Sequence, residues 1–250
     1  MDKLVYTAAT GLRAHMQAQA AIANNMANVS TTGFRADRVV FERIMLSDGT
    51  AALSARQPTG EEVTDADRTP GALQHTGRNL DVAAVGRDTW ITVQAADGTE
   101  AYTRRGDLSV SASGVLQTGD GYIVTGANGP ITLPPYQSLT VGSDGSVSIV
   151  AQGDATATPQ VIDTIKLVSA KGTNTVKGLD NLLRVKGGGA LPQDMDAKIE
   201  AGSLEGSNVN MTQALVDMIE NQRSYEVQAN LLKEARTMDE SSASLMRLPS

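Results

Sequence analysis

A seven-residue repeat runs along the last forty residues of the chain. Mostly apolar residues there are spaced alternately by four and three, the spacing of a helix face that packs against another helix. The sequence therefore predicts a long C-terminal helix, and Asn210 with Gln213 resembles a capping box at its start. The repeat positions are Met211, Leu215, Met218, Gln222, Tyr225, Ala229 and Leu232.

The first 28 residues carry a similar pattern with smaller side chains. From Lys3 to about Asn28 there is no proline and one glycine, and mostly apolar residues recur with a period near 3.6. A second long helix is predicted here, with Asp2 as its N-cap and Thr31–Gly33 beyond its end. The recurring positions are Leu4, Ala8, Gly11 with Leu12, His15, Ala18, Ile22, Met26 and Val29.

Between these ends, short β-branched runs alternate with glycine-containing turns. The runs 90–93, 122–124, 146–150 and 164–168 are typical of strands. Asp-Gly pairs between some of these runs predict tight hairpin turns, because both residues tolerate positive φ. The pairs are Asp97-Gly98, Asp120-Gly121 and Asp144-Gly145. The middle of the chain is therefore predicted to be an antiparallel β domain.

The predicted fold class is α+β, with the terminal helices forming a coiled-coil-like stalk and a mainly antiparallel β domain inserted between them. The terminal helical assembly domain covers 1–33 and 208–250, and the β domain covers 75–200. An extended connector over 34–74 and a return connector over 201–207 join them.

Composition excludes several classes of function. The net charge of −7 argues against nucleic acid as a partner, since phosphate binding needs clustered Lys and Arg. The chain has no cysteine, which removes disulfides, thiolate nucleophiles and cysteine-bound zinc. Met1–Leu4 does not begin a basic region followed by an apolar run, and no window is apolar enough to span a membrane. The simple interpretation is a cytosolic protein that does not insert into a membrane, but a protein exported without a cleaved signal peptide would show the same pattern.

No set of residues in the sequence forms a catalytic motif. His15 and His75 have no second histidine at metal-binding spacing, and Gly187–Gly189 lacks the strand-then-helix setting of a phosphate loop. The acidic pairs Glu61/Glu62 and Asp65/Asp67 fall in the predicted connector, where a solvated face is the simpler interpretation. The sequence thus predicts no catalytic, cofactor or metal residues, and the protein is expected not to be an enzyme.

Three asparagines weaken the end of the N-terminal helix. Asn24, Asn25 and Asn28 compete with the helix for backbone hydrogen bonds. One interpretation is simple fraying before Thr31. The other is that the amides bond across to neighbouring helices or shape a bend. Spacing alone does not decide between these two.

Three blocks of sequence carry a family resemblance. Residues 22–35 resemble the A-N-N-x-A-N-x-x-T-x-G-[FY]-[KR] signature of the flagellar basal-body rod and hook proteins. Residues 77–83 with 101–108, and 202–210 with 219–226, are similar to further segments of that family. The resemblance within the family is to proximal-rod members, through 1–8 and 129–135. The chain departs from the family pattern at Arg78 and at 86–90.

The resemblance implies a structural rod subunit that transmits torque from motor to hook across the periplasm. It implies export by the flagellar type III apparatus, partners that are other rod subunits and further copies of itself, and terminal segments that order only on assembly. A distal-rod or hook paralogue is one alternative, and a secreted β-rich hydrolase or carbohydrate-binding module is another. The predicted subunit-interface residues are Leu4, Ala8, Leu12, Ile22, Asn24, Asn25, Met26, Asn28, Met211, Leu215, Met218, Tyr225 and Leu232.

Overall fold

The computed structural model describes residues 2–43, 59–153 and 158–245. The chain forms two compact units. The helical unit comprises Met1–Ala27, Asp37–Asp65 and Asn210–Ser250, and the β unit comprises Asn28–Ala36 and Ala66–Val209. Each unit is therefore built from segments that are distant in sequence.

The helical unit contains both predicted terminal helices. Helix α1 spans Asp2–Ala27 and helix α2 spans Met211–Leu245. Strands β1 (Asp37–Arg43) and β2 (Thr59–Ala66) pair with each other. The residue predicted as the N-cap of α1, Asp2, is its first helical residue instead. The predicted order of N-terminal helix, antiparallel β region and C-terminal helix is confirmed.

Helix α2 begins with a side-chain cap but without the full capping box. Asn210 Oδ1 accepts the backbone N–H groups of Thr212 at 3.0 Å and Gln213 at 3.2 Å, as an N-cap does. The side chain of Gln213 does not return to Asn210. It donates to Asp217 Oδ1 at 2.8 Å, because a carboxylate one turn further on is a charged acceptor within reach.

The β unit is antiparallel throughout its registered pairings. Its strands are β3 (Leu73–His75), β4 (Val82–Ala84), β5 (Thr89–Gln94), β6 (Glu100–Thr103), β7 (Ser109–Val110), β8 (Leu116–Gln117), β9 (Ile123–Gly126), β10 (Gly129–Pro130), β11 (Tyr136–Val141), β12 (Ser146–Ala151), β13 (Gln160–Thr164), β14 (Leu167–Ser169), β15 (Thr175–Lys177), β16 (Leu183–Val185), β17 (Ile199–Ala201) and β18 (Ser203–Glu205).

The described strands of the β unit form one large and three smaller sheets. The large sheet has nine strands in the order β15-β16-β6-β5-β9-β8-β7, with β10 beside β9 and β14 beside β5. A three-stranded sheet has the order β11-β12-β13, and the pairs β17-β4 and β18-β3 complete the set. The prediction of a central antiparallel β domain is therefore confirmed.

The three Asp-Gly pairs form the predicted hairpin turns. Gly98 joins β5 to β6, Gly121 joins β8 to β9 and Gly145 joins β11 to β12, with φ between 81 and 86°. In the last of these turns Asp144 Oδ1 accepts the backbone N–H and the hydroxyl of Ser146. These hydrogen bonds lower the pKa of Asp144.

The run predicted as one strand over 164–168 is two strands in different sheets. β13 ends at Thr164 and β14 begins at Leu167. Between them Ile165 is fully buried and bridges Gly126, while the backbone N–H of Lys166 donates to Thr125 O. The chain crosses here from one sheet to the other, which a local run of β-branched residues does not reveal.

The core of the β unit is aliphatic, as the aromatic content of 3% requires. Its main cluster consists of Val, Leu, Ile and Ala side chains from most of the strands. A second cluster contains Trp90 and Tyr102, packed with Val168, Leu183 and Leu191. The single tryptophan of the chain is therefore a buried residue of the β unit.

The segments predicted as connectors contain paired strands. Strands β1 and β2 and most of β3 lie within 34–74, and β18 lies within 201–207. Leu73 to His75 pairs with Glu205 to Ser203. Residues 44–58 of the predicted connector lie outside the described residues. The β3–β18 pair joins segments 128 or more residues apart, so no local pattern marks it.

Candidate functional site

A polar pair joins α1 to α2 inside the helical unit. His15 Nδ1 lies 2.7 Å from Asn221 Oδ1, and Asn221 Nδ2 donates to the backbone oxygen of His15 at 2.9 Å. Because a backbone oxygen only accepts, the amide nitrogen of Asn221 faces it and the amide oxygen faces the imidazole. His15 Nδ1 therefore carries a proton and donates it. Both side chains are half-buried.

A glycine brings the same two helices close together. A Cβ atom at Gly11 would lie 2.1 Å from Gln228 Nε2, so the glutamine side chain fills the space that a larger residue at position 11 would need. Residue 15 meets 221 and residue 11 meets 228, so positions rise along α2 as they fall along α1. The two helices therefore pack antiparallel.

The face of α2 that turns inward is small and polar. Ala214, Asn221, Gln228 and Ala235 are spaced by seven residues. Ala214 is 8% exposed and Ala235 is 1% exposed. The predicted seam lies beside this face and uses larger residues. At Gly11 the missing side chain leaves the space that Gln228 fills, so a polar residue packs at this point of the inward face.

The residues predicted as the subunit interface lie at different depths in the helical unit and the following turn. Ala8 is buried, whereas Met211 at 40% and Leu215 at 44% are exposed, and so is Asn24. The side chain of Leu4, which lies in α1, is outside the described part of the chain. The half-buried members are Leu12, Ile22, Asn25, Met26, Asn28, Met218, Tyr225 and Leu232.

Large apolar side chains are exposed along α2. One row, Met211, Leu215 and Ile219, repeats every four residues. A second row has residues spaced by 11, 4 and 7 positions. These residues lie on one side of the helix, because eleven residues complete about three turns. The second row is Val216, Val227, Leu231 and Met238, with 44 to 55% of each residue exposed. Both rows lie outside the inward face, so α2 offers apolar surface beyond what α1 covers.

The asparagines at the end of α1 hold the strand that follows. Asn25 Oδ1 accepts the backbone N–H of Asp37 at 2.7 Å and Asn25 Nδ2 donates to Asp37 O at 3.0 Å. Asn24 Nδ2 donates to the carboxylate of Asp37. Of the two interpretations left open by the sequence, fraying does not account for these bonds. The amides fix the point at which β1 begins beside the helix end.

In the β unit, a turn over 28–33 requires glycine at its end. Thr31 donates through its hydroxyl to Asn28 Oδ1 at 3.1 Å and through its backbone N–H to Asn28 O at 3.1 Å. Gly33 has φ of 68°, and a Cβ there would lie 2.4 Å from the backbone carbonyl carbon of Arg104. No other residue type avoids that clash, which explains the glycine in this signature.

Next to that turn, two arginines share one buried carboxylate. Arg35 Nη2 lies 2.6 Å from Glu205 Oε1, and Arg104 Nη1 lies 3.2 Å from Glu205 Oε2, with all three side chains at most 1% exposed. Glu205 Oε1 also accepts the backbone N–H of Gly71 at 2.8 Å. Two positive charges and one negative charge are thus buried together, an arrangement that depends on every partner.

Aromatic faces and backbone oxygens supply the remaining contacts of these cations. The guanidiniums of Arg35 and Arg104 lie 6.0 and 5.4 Å from the ring centroid of Trp90. Lys177 Nζ lies 3.7 Å from the Phe34 ring and donates to Arg35 O at 2.7 Å. Burial lowers the pKa of Arg104 to about 10 and also lowers the pKa of Arg35, against the opposing attraction of Glu205.

Asn208 closes this cluster from the chain that precedes α2. Its Oδ1 accepts the backbone N–H of Ala36 at 2.7 Å, and its Nδ2 donates to the backbone oxygens of Asp67 and Thr69 at 3.0 Å. Its own backbone N–H donates to Phe34 O at 3.3 Å. The segments that lead into β1 and into α2 are therefore held side by side within the β unit.

Sequence reasoning missed this cluster and the inward face of α2. Arg35, Arg104 and Glu205 each belong to a different block of the family resemblance, which was the available signal. Nothing in the sequence showed that the blocks meet. The departure from the family pattern at 86–90 places Trp90 against both arginines, and Arg78 pairs with Asp81.

A cleft of about 230 Å³ lies in the β unit beside the turn over 28–33. Its charged lining groups include Arg105 and Asp120, whose side chains form an ion pair at 2.6 Å. Across the residues that the structure describes, no group of three or more His, Cys, Asp or Glu side chains is arranged to hold a metal ion. No described helix is both long enough and apolar enough to cross a membrane.

Three family models match the chain along most of its length. Residues 5–35 match the flagella basal body rod protein, residues 84–149 match the flagellar hook protein FlgE/F/G D1 domain, and residues 200–245 match the flagellar basal body rod FlgEFG protein C-terminal region. The first and third matches contain α1 and α2, and the second covers much of the large sheet.

Whole-chain relatives agree with these matches. The chain is 39% identical to the flagellar basal-body rod protein FlgF of Salmonella typhimurium and 36% identical to that of Escherichia coli, in each case over 93% of both chains. It is 31% identical to the flagellar basal-body rod protein FlgG of Bacillus subtilis, over 93% of this chain and 94% of the relative.

The chain belongs to the flagellar basal-body rod protein family. Within that family it is most like FlgF, since its identity to these two FlgF proteins exceeds its identity to the FlgG protein. Membership of a family of structural proteins indicates a non-enzymatic role.

Proposed function

We propose that this chain is a structural subunit of the bacterial flagellar basal-body rod, whose terminal helices bind neighbouring rod subunits and further copies of the chain. The proposal includes a place in the proximal rod within the periplasm, transmission of torque toward the hook, and delivery by the flagellar type III export apparatus. Family membership and the similarity to FlgF proteins support it. A distal-rod position is the alternative, supported by the lower similarity to FlgG.

The observation that carries the proposal is the apolar surface of α2 that α1 does not cover. Seven large apolar residues of α2 are 40 to 67% exposed. Burying a half-exposed side chain of this kind contributes about 1 kcal/mol. The sum of these contributions over the seven residues is of the same order as the free-energy cost of association, about 4–15 kcal/mol. Incorporation therefore depends on several neighbours binding one chain at once.

In this proposal some of the predicted interface residues contact neighbouring subunits, and others pack between α1 and α2. Met211 and Leu215 contact neighbouring subunits, together with Ile219, Val227 and Leu231, which were not predicted. Ala8 and Ile22 belong to the half of the seam that α1 contributes. A coiled-coil-like stalk arises when α1 and α2 of one chain bundle with those of the next.

The proposal is tested by placing a positive charge on each of the two exposed rows of α2. Ile219→Lys and Val227→Lys should leave the free energy of unfolding of the purified chain within about 0.5 kcal/mol, as at other exposed positions. Each should abolish recovery of the chain in purified basal bodies, because a buried ammonium opposes packing. Asn128→Lys, at an exposed turn position of the β unit, makes the same charge change away from α2 and should be incorporated normally.

Labelling the chain distinguishes a proximal from a distal position in the rod. A labelled copy should be found in the proximal part of purified basal bodies, and a distal position would favour the alternative. Normal motility with both Ile219→Lys and Val227→Lys would show that this surface of α2 does not bind neighbours.

A further inference from the structure

We propose that His15 and Asn221 act as a register pair, fixing α1 and α2 of one chain in a single antiparallel alignment. The register pair thereby determines which part of α2 lies beyond the cover of α1. The alignment itself is argued from contacts inside the helical unit. Its consequence for assembly rests on the proposed function.

The register pair is a reciprocal contact that other alignments would break. His15 donates to Asn221 Oδ1 at 2.7 Å, and the Asn221 amide donates back to His15 O at 2.9 Å. A half-buried amide or imidazole that loses its partner keeps its desolvation cost without a compensating bond. A single polar residue on a helix seam is a well-attested means of choosing one register among several.

A slip of seven residues preserves the seam but mismatches the register pair. In the antiparallel arrangement Asn221 would then face Ile22 or Ala8, and His15 would face Ala214 or Gln228. No hydrogen-bonding side chain would meet Asn221 in either direction. Slips of one heptad are therefore the alternatives against which the pair selects.

The contact between Gly11 and Gln228 also favours the native alignment over a slip of seven residues. Gln228 occupies the space above Gly11, the only glycine of α1. After a slip of seven residues Gln228 would face Leu4 or Ala18, each of which carries a Cβ where the glutamine side chain lies now. The alanines Ala8, Ala18, Ala214 and Ala235 are alike in size and do not discriminate between these alignments.

The alignment matters because a heptad slip displaces the exposed rows of α2. Seven residues correspond to about 10 Å along the helix axis. Ile219 and Val227 would then be presented to neighbours about two turns away from their present position. Correct incorporation thus requires the alignment as well as the apolar side chains.

Cysteine cross-linking measures the alignment directly, because the chain has no cysteine of its own. The native reporter is Gly11→Cys with Gln228→Cys. The slipped reporters are Gly11→Cys with Ala235→Cys for one direction, and Leu4→Cys with Gln228→Cys for the other. Oxidation at low protein concentration followed by non-reducing electrophoresis separates cross-links within one chain from cross-links between chains.

The full-length protein should cross-link within one chain at the native reporter and not at the slipped reporters. His15→Ala combined with Asn221→Ala should reduce the native cross-link several-fold and produce slipped cross-links. His15→Asn retains a donor at the position of Nδ1 and should keep the native alignment. Gln19→Ala with Ser224→Ala, at exposed positions of the same helices, should leave all yields unchanged.

Three outcomes would overturn the proposal. An unchanged native cross-link in the double alanine variant would mean that another contact sets the alignment. Loss of native and slipped cross-links together would mean that the pair is needed for association rather than for register. Cross-links only between chains would show that α1 and α2 pair in trans. Because every assay uses the purified chain, each result is independent of incorporation into a rod.

Discussion

At the scale of single residues, the most demanding feature of this protein is a carboxylate shared by two arginines. Glu205 is separated from Arg35 by 170 positions and from Arg104 by 101 (205 − 35 and 205 − 104), yet all three side chains are at most 1% exposed. Desolvation of such charges is costly and is offset only when every member is present. The cluster therefore makes the β unit sensitive to single substitutions that leave its apolar core untouched.

Glu205→Gln should destabilise the β unit by about 3–5 kcal/mol, because it leaves two buried guanidiniums without a counter-charge. Urea unfolding followed by the fluorescence of Trp90 measures the change, since that residue stacks on both arginines. Glu220→Gln on the exposed surface of α2 is the control and should change stability by less than about 0.5 kcal/mol. A loss below about 1 kcal/mol for Glu205→Gln would contradict the structural account.

At the scale of elements, α1 and α2 pair through small and polar residues instead of a seam of large apolar ones. Gly11 and Ala8 permit close approach, and Gln228 fills the space that the glycine leaves. A seam of this kind buries little apolar area, so the helix pair is only weakly stabilised by the hydrophobic effect. This is consistent with helices whose larger side chains are kept for other partners.

Gly11→Ala should stabilise the protein much less when Gln228 is present than when Gln228 is replaced by alanine. In the protein with Gln228→Ala, the new methyl group has room, and helix propensity alone should stabilise α1 by about 1 kcal/mol. With Gln228 present, the Cβ meets Nε2 at 2.1 Å, so the glutamine must move and most of the gain is lost. A double-mutant cycle by thermal unfolding, monitored by circular dichroism, measures the coupling. Additive effects would show that the two residues do not touch.

At the scale of the whole molecule, both ends of the chain are needed to build one unit. The helical unit combines Met1–Ala27 with Asn210–Ser250, and the β unit combines Asn28–Ala36 with Ala66–Val209. An isolated helix is marginal in water, so α1 depends on α2 for its order. The two units should therefore respond differently to loss of the C-terminal segment.

Truncation after Val209 should remove more helix than it removes residues of α2. α2 has 35 residues and α1 has 26, and α1 should unfold once its partner is gone. Far-ultraviolet circular dichroism should show a loss of helix greater than 35 residues. The fluorescence maximum of Trp90 should stay that of a buried residue, because Trp90 belongs to the β unit. Retention of α1 helicity would show that α1 is stable alone.

Much of the architecture followed from local sequence pattern. The two helices, the three Asp-Gly hairpins and strands β5, β9 and β12 were predicted because each depends on residues that are neighbours along the chain. The crossing at Ile165 and the pairing of β3 with β18 were not. Both depend on which distant strand lies alongside, and side-chain alternation carries no information about that.

The same distinction between local pattern and distant contacts applies to the candidate site. Periodicity alone determined that both ends of the chain are helical. Only the tertiary structure decided that Gly11, His15, Asn221 and Gln228 form the contact, and that Arg35 and Arg104 share Glu205. Helix formation is governed by residues three and four positions apart. A hydrogen bond across 206 positions exists only once the chain has folded.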